Sequence, residues 1–191
     1  MALVDNPTKF ADKFKLKSSR LLNWDYSTPG FYFITICTYN HNNFFGKIIN
    51  NKMELSKMGI ITNQCLINIP KHFSNVILNE YIVMPNHVHI LLNLSKPLSN
   101  SVETHHDASL SIKYNNYYYH RIAIRSSQTI PLVIKQFKSA TTRQINPKTI
   151  FFSWQPRFHD HIIQNEKEYL IIKQYIKNNI KNWNKDKYYK K

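Results

Sequence analysis

Two β-prone runs, residues 76–84 and 87–94, are joined through Pro85-Asn86. A link that short cannot carry the crossover that a parallel pair needs, so the two strands must be antiparallel neighbours. Other segments fit around this pair. Residues 31–38 are aromatic and β-branched and read as a strand. Residues 44–49 and 52–55 flank Asn50-Asn51 and read as a short hairpin. Met58, Ile61, Cys65 and Ile69 recur at helical spacing, which predicts a helix over 57–69 ending at Pro70. Pro131 opens a second helix to about residue 145, with Ile134, Phe137, Thr141 and Ile145 on one face. Residues 151–163 read as a strand or extended segment. A last helix is expected from about Glu166 to Asn182, and a basic tail after it. Helices interleaved with hairpin-connected strands predict an α+β fold: an antiparallel sheet with helices stacked mainly on one face.

Residues 1–24 hold five basic and two acidic side chains and read as a basic N-terminal tail. Residues 25–191 read as a single domain with a long polar insertion at about 95–130. With 42% hydrophobic residues the chain can build a core, which excludes wholesale disorder. Lys and Arg number 26 against 11 Asp and Glu, a net charge of +15. That imbalance favours a polyanionic partner, nucleic acid first and an acidic membrane surface second. Cys37 and Cys65 sit in apolar runs and read as buried reduced thiols of a cytoplasmic protein. No apolar run approaches membrane-spanning length, so no membrane role is expected.

The candidate chemistry begins with His87 and His89. Residues two apart on a strand point to one face, so both imidazoles leave the sheet side by side while Val88, Ile90 and Leu92 point the other way. Adjacent imidazoles are half of a divalent-cation site, although two surface histidines beside a turn would give the same pattern. In the last helix, Tyr169, Ile172, Ile176, Ile180 and Trp183 form an apolar stripe suited to packing on the sheet. Tyr175 and Asn179 are four apart, about 100° round from that stripe. A phenol and a carboxamide thus meet at the core's edge, as rim packing residues or as partners of a sheet-borne metal.

These segments resemble the REP-associated tyrosine transposases, a branch of the single-tyrosine transposases with a His-hydrophobic-His (HUH) motif. The matching stretches are DYSTPGFYFITICT from Asp25, His87-Val88-His89 after Met84-Pro85-Asn86, and Gln136-Phe137-Lys138-Ser139. Trp154-Gln155-Pro156-Arg157-Phe158 through His161-Ile162-Ile163 follows, then Tyr175-Ile176 with Asn178-Asn179 before Trp183. They run in the family's order over roughly residues 20 to 183. Ile180 stands where the family usually has proline, which predicts that the helix runs on for another turn.

The resemblance implies a ferredoxin-like sheet with a C-terminal catalytic helix, and a metal-dependent enzyme that cuts and rejoins single-stranded DNA near hairpins of repetitive extragenic palindromes. Tyr175 would be the nucleophile, leaving a 5′-phosphotyrosine and a free 3′-OH. His87, His89 and, by position, Asn179 would hold Mg2+ or Mn2+. The active unit would be a monomer or a homodimer. Two other functions stay open: a catalytically silent protein that binds hairpins or single-stranded DNA on the same fold, and a metal nuclease that uses water. His161 fits the family pattern and is a candidate for the active-site surroundings, as is Arg157 within its matched segment. His159 reads as surface or DNA-facing. Lys135, Lys138 and Arg143 form either a phosphate-facing stripe or the wet side of a helix. Tyr117-Tyr118-Tyr119 could stack on unpaired bases or be a tyrosine-rich loop with no role, and His105-His106-Asp107 looks like a metal cluster but lies in the polar insertion.

Overall fold

The computed structural model describes residues 24–96, 128–146 and 151–189. The expected N-terminal tail before Trp24, most of the insertion, His105-His106-Asp107 and Tyr117-Tyr118-Tyr119 lie outside these residues. In chain order the elements are β1 (Gly30–Cys37), β2 (Gly46–Ile49), β3 (Lys52–Leu55), α1 (Lys57–Ile67), α2 (Ile69–His72), β4 (Val76–Val83), β5 (His87–Leu94), α3 (Thr129–Ile145), β6 (His159–Ile163) and α4 (Glu166–Asn178).

Four strands form one antiparallel sheet in the order β4-β5-β1-β6, and β2-β3 is a separate hairpin. Counting only the sheet's own strands, that order is 2-3-1-4, the ferredoxin-like arrangement expected from the sequence. Asn50 and Asn51 both take positive φ, 49° and 56°, as a two-residue hairpin turn requires. The Met84-Pro85-Asn86 link closes tightly, with the Met84 N–H donating to the His87 carbonyl at 2.9 Å.

The two faces of the sheet bury different things. On one face Tyr32, Ile34 and Ile36 of β1 meet Val88, Ile90 and Leu92 of β5 in register. They pack with Leu66 of α1 and Val133, Ile134 and Phe137 of α3 in the main core. On the other face Phe31, Phe33 and Leu91 pack with Tyr169, Ile172 and Ile176 of α4. The earlier helices therefore share one face, and the C-terminal helix takes the other. Among the described residues no helix is long and apolar enough to cross a membrane.

Two helix ends differ from the sequence expectation. Pro70 does not end a helix but sits in the first turn of α2, where its missing N–H has no intrahelical acceptor to serve. The α-helical part of α4 stops at Asn178, despite Ile180 standing in place of proline. Beyond it the hydrogen bonds tighten: the Asn179 N–H reaches the Ile176 carbonyl and the Asn182 N–H reaches that of Asn179. This tightened turn leads into the 3-10 turn Trp183–Lys185.

The second hairpin sits close against α1. Ser56 caps the helix, its Oγ accepting from the Gly59 N–H at 3.1 Å and donating to the Phe44 carbonyl at 2.6 Å. A Cβ on Gly59 would stand 2.1 Å from the Phe45 carbonyl oxygen, so only glycine fits. Gly59→Ala is expected to cost about 2–3 kcal/mol by overpacking. Urea unfolding of the two proteins measures it, and an unchanged midpoint would contradict this packing.

Candidate metal centre and nucleophile

The β1–β5 register sets Thr35 opposite His89 and Cys37 opposite His87, so both imidazoles lie on the sheet face that α4 covers. Both are fully buried. Asn86 determines how His87 is protonated. Its Nδ2 donates to the Tyr188 carbonyl at 2.8 Å and the His41 carbonyl at 3.2 Å. The amide oxygen must therefore be the group facing His87, and it accepts from the His87 Nδ1–H at 2.9 Å. That leaves the His87 Nε2 lone pair pointing into the site. His89 Nδ1 is 2.8 Å from the Thr35 hydroxyl, and its Nε2 is 3.1 Å from His87 Nε2. If the Thr35 hydroxyl donates to His89 Nδ1, the His89 Nε2–H donates to His87; if the His89 Nδ1–H donates to Thr35, two lone pairs face each other and a cation fits between them. A spacing of 3.1 Å suits two nitrogen donors in adjacent positions on one ion, at bonds of about 2.1 Å.

Three side chains from the C-terminal segments close on this pair. The Tyr175 hydroxyl lies 3.3 Å from His89 Nε2 and 3.5 Å from Asp186 Oδ2. Asp186 Oδ2 also accepts from Asn179 Nδ2 at 3.4 Å, while its Oδ1 takes the Tyr188 N–H at 2.7 Å. His87, His89 and Asp186 each offer a ligand atom within 4.8 Å of the others. Asn179 is buried, and its Oδ1 has no hydrogen-bond partner among the described residues. Two imidazoles, a carboxylate and an unpartnered buried amide oxygen form a donor set that fits a divalent cation.

The electrostatics match that fit. Burial, then the neighbouring His89, His41 and Lys187, holds the His87 pKa well below 6.5. Burial followed by Lys187 lowers that of His89 to about 3. Both rings are thus neutral near pH 7, as ligation requires. Burial first, then the Asp186 carboxylate, raises the Tyr175 phenol above its usual 10.0, so the resting nucleophile candidate keeps its proton. Cys37, next to His87 across the register, is pushed up to about 11 mainly by burial and is no thiolate at neutral pH.

The other candidates are placed elsewhere. Lys138 does not project into solvent: its ammonium donates to the Gln155 and Arg157 carbonyls at 2.7 and 3.1 Å, and burial lowers its pKa to about 8. Arg157 holds a positive φ of 67° at that clasped turn. Lys135 and Arg143 line a groove of about 380 Å³ between α3 and the α1–α2 corner, on the face away from the histidines. His161 shares the histidines' face but pairs with Glu168 at 2.6 Å. His159 is exposed.

Sequence reasoning missed Asp186, Asn86 and Tyr188. The segment expected as a basic tail folds over the site instead. The buried Tyr188 ring lies 4.8 Å from that of His87, and the Trp183 ring 5.9 Å from it. His41 stacks on Tyr188 with ring centres 5.4 Å apart. The available signal was the density of aromatics after Asn182, which is high for a solvated tail.

No family model matches the chain. It is 35% identical over 174 residues to an uncharacterized protein of Haemophilus influenzae, covering 91% of this chain and 92% of that one. The chain belongs to that protein's family. Its fold is also that of a solved REP-associated tyrosine transposase bound to a REP hairpin, with a TM-score of 0.51 and 18% identity. The match covers 79% of this chain and 66% of the transposase. The resemblance in the sequence therefore extends to the fold.

Both histidine pKa values are depressed in the folded state, so between about pH 6.5 and the folded values the unfolded chain binds more protons. Stability is complete above pH 6.5 and is lost as pH falls, by up to about 1.4 kcal/mol per unit for each histidine. Metal-free protein should therefore melt at falling temperatures from pH 7 to 5. His87→Gln/His89→Gln should show a shallower slope, and equal slopes would contradict burial as the cause.

Proposed function

We propose that the protein cleaves and rejoins single-stranded DNA beside hairpins, with Tyr175 as nucleophile and a divalent cation, Mg2+ or Mn2+, held by His87, His89, Asp186 and Asn179. One observation carries the reading: a phenol oxygen stands 3.3 Å from a buried imidazole whose Nε2 faces a second imidazole Nε2 at 3.1 Å. A phenol touching a bis-imidazole donor pair is the equipment for phosphoryl transfer to tyrosine. The shared fold and the transposase's REP hairpin support DNA hairpins as the partner class.

The bound cation would neutralise charge on the non-bridging phosphate oxygens. The protein's residues account for the rest. Tyr175 is 42% exposed, whereas both histidines are buried. In the cleavage step a Tyr175 Oη–P bond forms and the P–O3′ bond breaks. The phenol proton passes to Asp186, whose Oδ2 is the carboxylate oxygen in reach. The 3′-oxygen leaves on the far side of phosphorus and takes its proton from solvent, while Asp186 returns its own to solvent. One phosphodiester replaces another, so the reverse reaction rejoins the strand without ATP. The +15 charge, with Lys181, Lys185 and Lys187 close to the site in sequence, draws DNA toward it.

His87→Ala/His89→Ala should abolish Mn2+ binding in calorimetry, and Asp186→Asn should weaken it less. Unchanged affinity in the double variant would remove the site. Tyr175→Phe loses one oxygen and little volume, so its melting temperature should barely move. It should still bind metal and hairpin DNA yet form no denaturant-stable adduct. Strand cleavage by this variant would identify a water-using nuclease. Binding without cleavage by the wild type would identify a silent binding protein. DNA affinity should fall steeply with salt.

A further inference from the structure

A groove of about 640 Å³ opens beside Tyr175, and its lining from α4 runs from Lys167 to Tyr175, on the N-terminal side of Asn179 in the chain. Phe33, His161, Lys167, Ile171, Ile172 and Tyr175 line it. The floor is apolar. The Phe33 and Tyr175 rings meet edge to face at 6.0 Å, and Ile171 is 60% exposed. The rim is polar, and its negative charge is already engaged. Glu168 accepts from His161 and from the Gln164 N–H at 2.8 Å, while the Lys167 ammonium is exposed. An aliphatic and aromatic slot with an exposed cation, in a protein of +15, suits a flat apolar group on an anionic tether.

In-line attack fixes which group that is. The leaving 3′-oxygen lies across phosphorus from the attacking phenol, so the upstream nucleotide departs on the far side. The retained nucleotide stays bonded to the phosphate on Tyr175 and remains beside the phenol. We propose that this groove receives the unpaired base of the nucleotide whose 5′-phosphate becomes joined to Tyr175. The inference rests on the cleavage reading and adds a specificity pocket to it. The pocket grips the downstream strand while the 3′-OH is free, which keeps that strand for rejoining.

The probe is a single-stranded oligonucleotide with a 5′-phosphate and 2-aminopurine as its first base, titrated into full-length protein with Mg2+. Burial in the groove should quench its fluorescence, while the same base at the fourth position should respond far less. Ile171→Glu changes an exposed side chain, so the fold should persist, and melting checks this. It should weaken binding of the first-base probe about ten-fold, consistent with losing one stacked base. Equal responses at the two positions, or wild-type affinity in Ile171→Glu, would overturn the groove. So would sedimentation showing a dimer that Ile171→Glu dissociates, which would assign the groove to a second copy of the chain. Adduct trapping with hairpin DNA, run in parallel, separates the two levels. Adducts with an unresponsive first base sink the groove alone, and a quenched first base without adducts sinks the cleavage reading.

Discussion

The side chain of Asn86, fully buried in the short link between β4 and β5, makes three hydrogen bonds. Its amide hydrogens bind the His41 and Tyr188 carbonyls, and its oxygen holds the His87 Nδ1–H. One carboxamide therefore orients a metal-ligand candidate, ties down the turn after β1 and anchors the C-terminal segment over the site. Leaving such a group half satisfied in the interior costs about 1–3 kcal/mol, so each of the three contacts favours the other two. The tautomer of His87 is thereby a property of the fold and needs no bound ligand to set it.

The sheet separates stability from chemistry. One face carries the main core against α1 and α3, and the alternate residues of the same strands carry the histidines toward α4. Because β5 is a central strand, paired with β4 on one side and β1 on the other, the imidazoles rest on a backbone held from both edges. The phenol approaches from a helix whose apolar stripe is packed on that same face. Phe33 touches both partners, with ring centres 5.2 Å from His89 and 6.0 Å from Tyr175. It spaces the helix from the strand.

Burial gives the site its electrical character. It strips protons from the imidazoles and keeps one on the phenol. Neutral nitrogens and a nearby carboxylate suit a cation, and a cation in turn favours loss of the phenol's proton. Lys138 illustrates the opposite use of charge. Its spacing on α3 left open whether it faced phosphate or solvent, yet its ammonium clasps two carbonyls of the turn that carries Arg157.

Much of this was legible in the residues themselves. The two-residue link after Met84 requires an antiparallel pair, Asn50-Asn51 requires a tight turn, and the strand period puts His87 and His89 on one face. Spacing of four on a helix likewise joins Tyr175 to Asn179. These are local constraints, each settled by backbone geometry within a few residues. Asp186, Tyr188 and His41 were invisible because they lie on irregular segments with no period to read. The end of α4 was misjudged because propensity alone does not show where backbone bonds tighten. Which helix faces which side of the sheet, and that a lysine-rich C-terminal segment folds onto two histidines, depends on contacts between residues about a hundred positions apart, such as Asn86 with Tyr188. Only packing in three dimensions decides those, because burying the aromatics of that segment and satisfying Asn86 happen in the same contact.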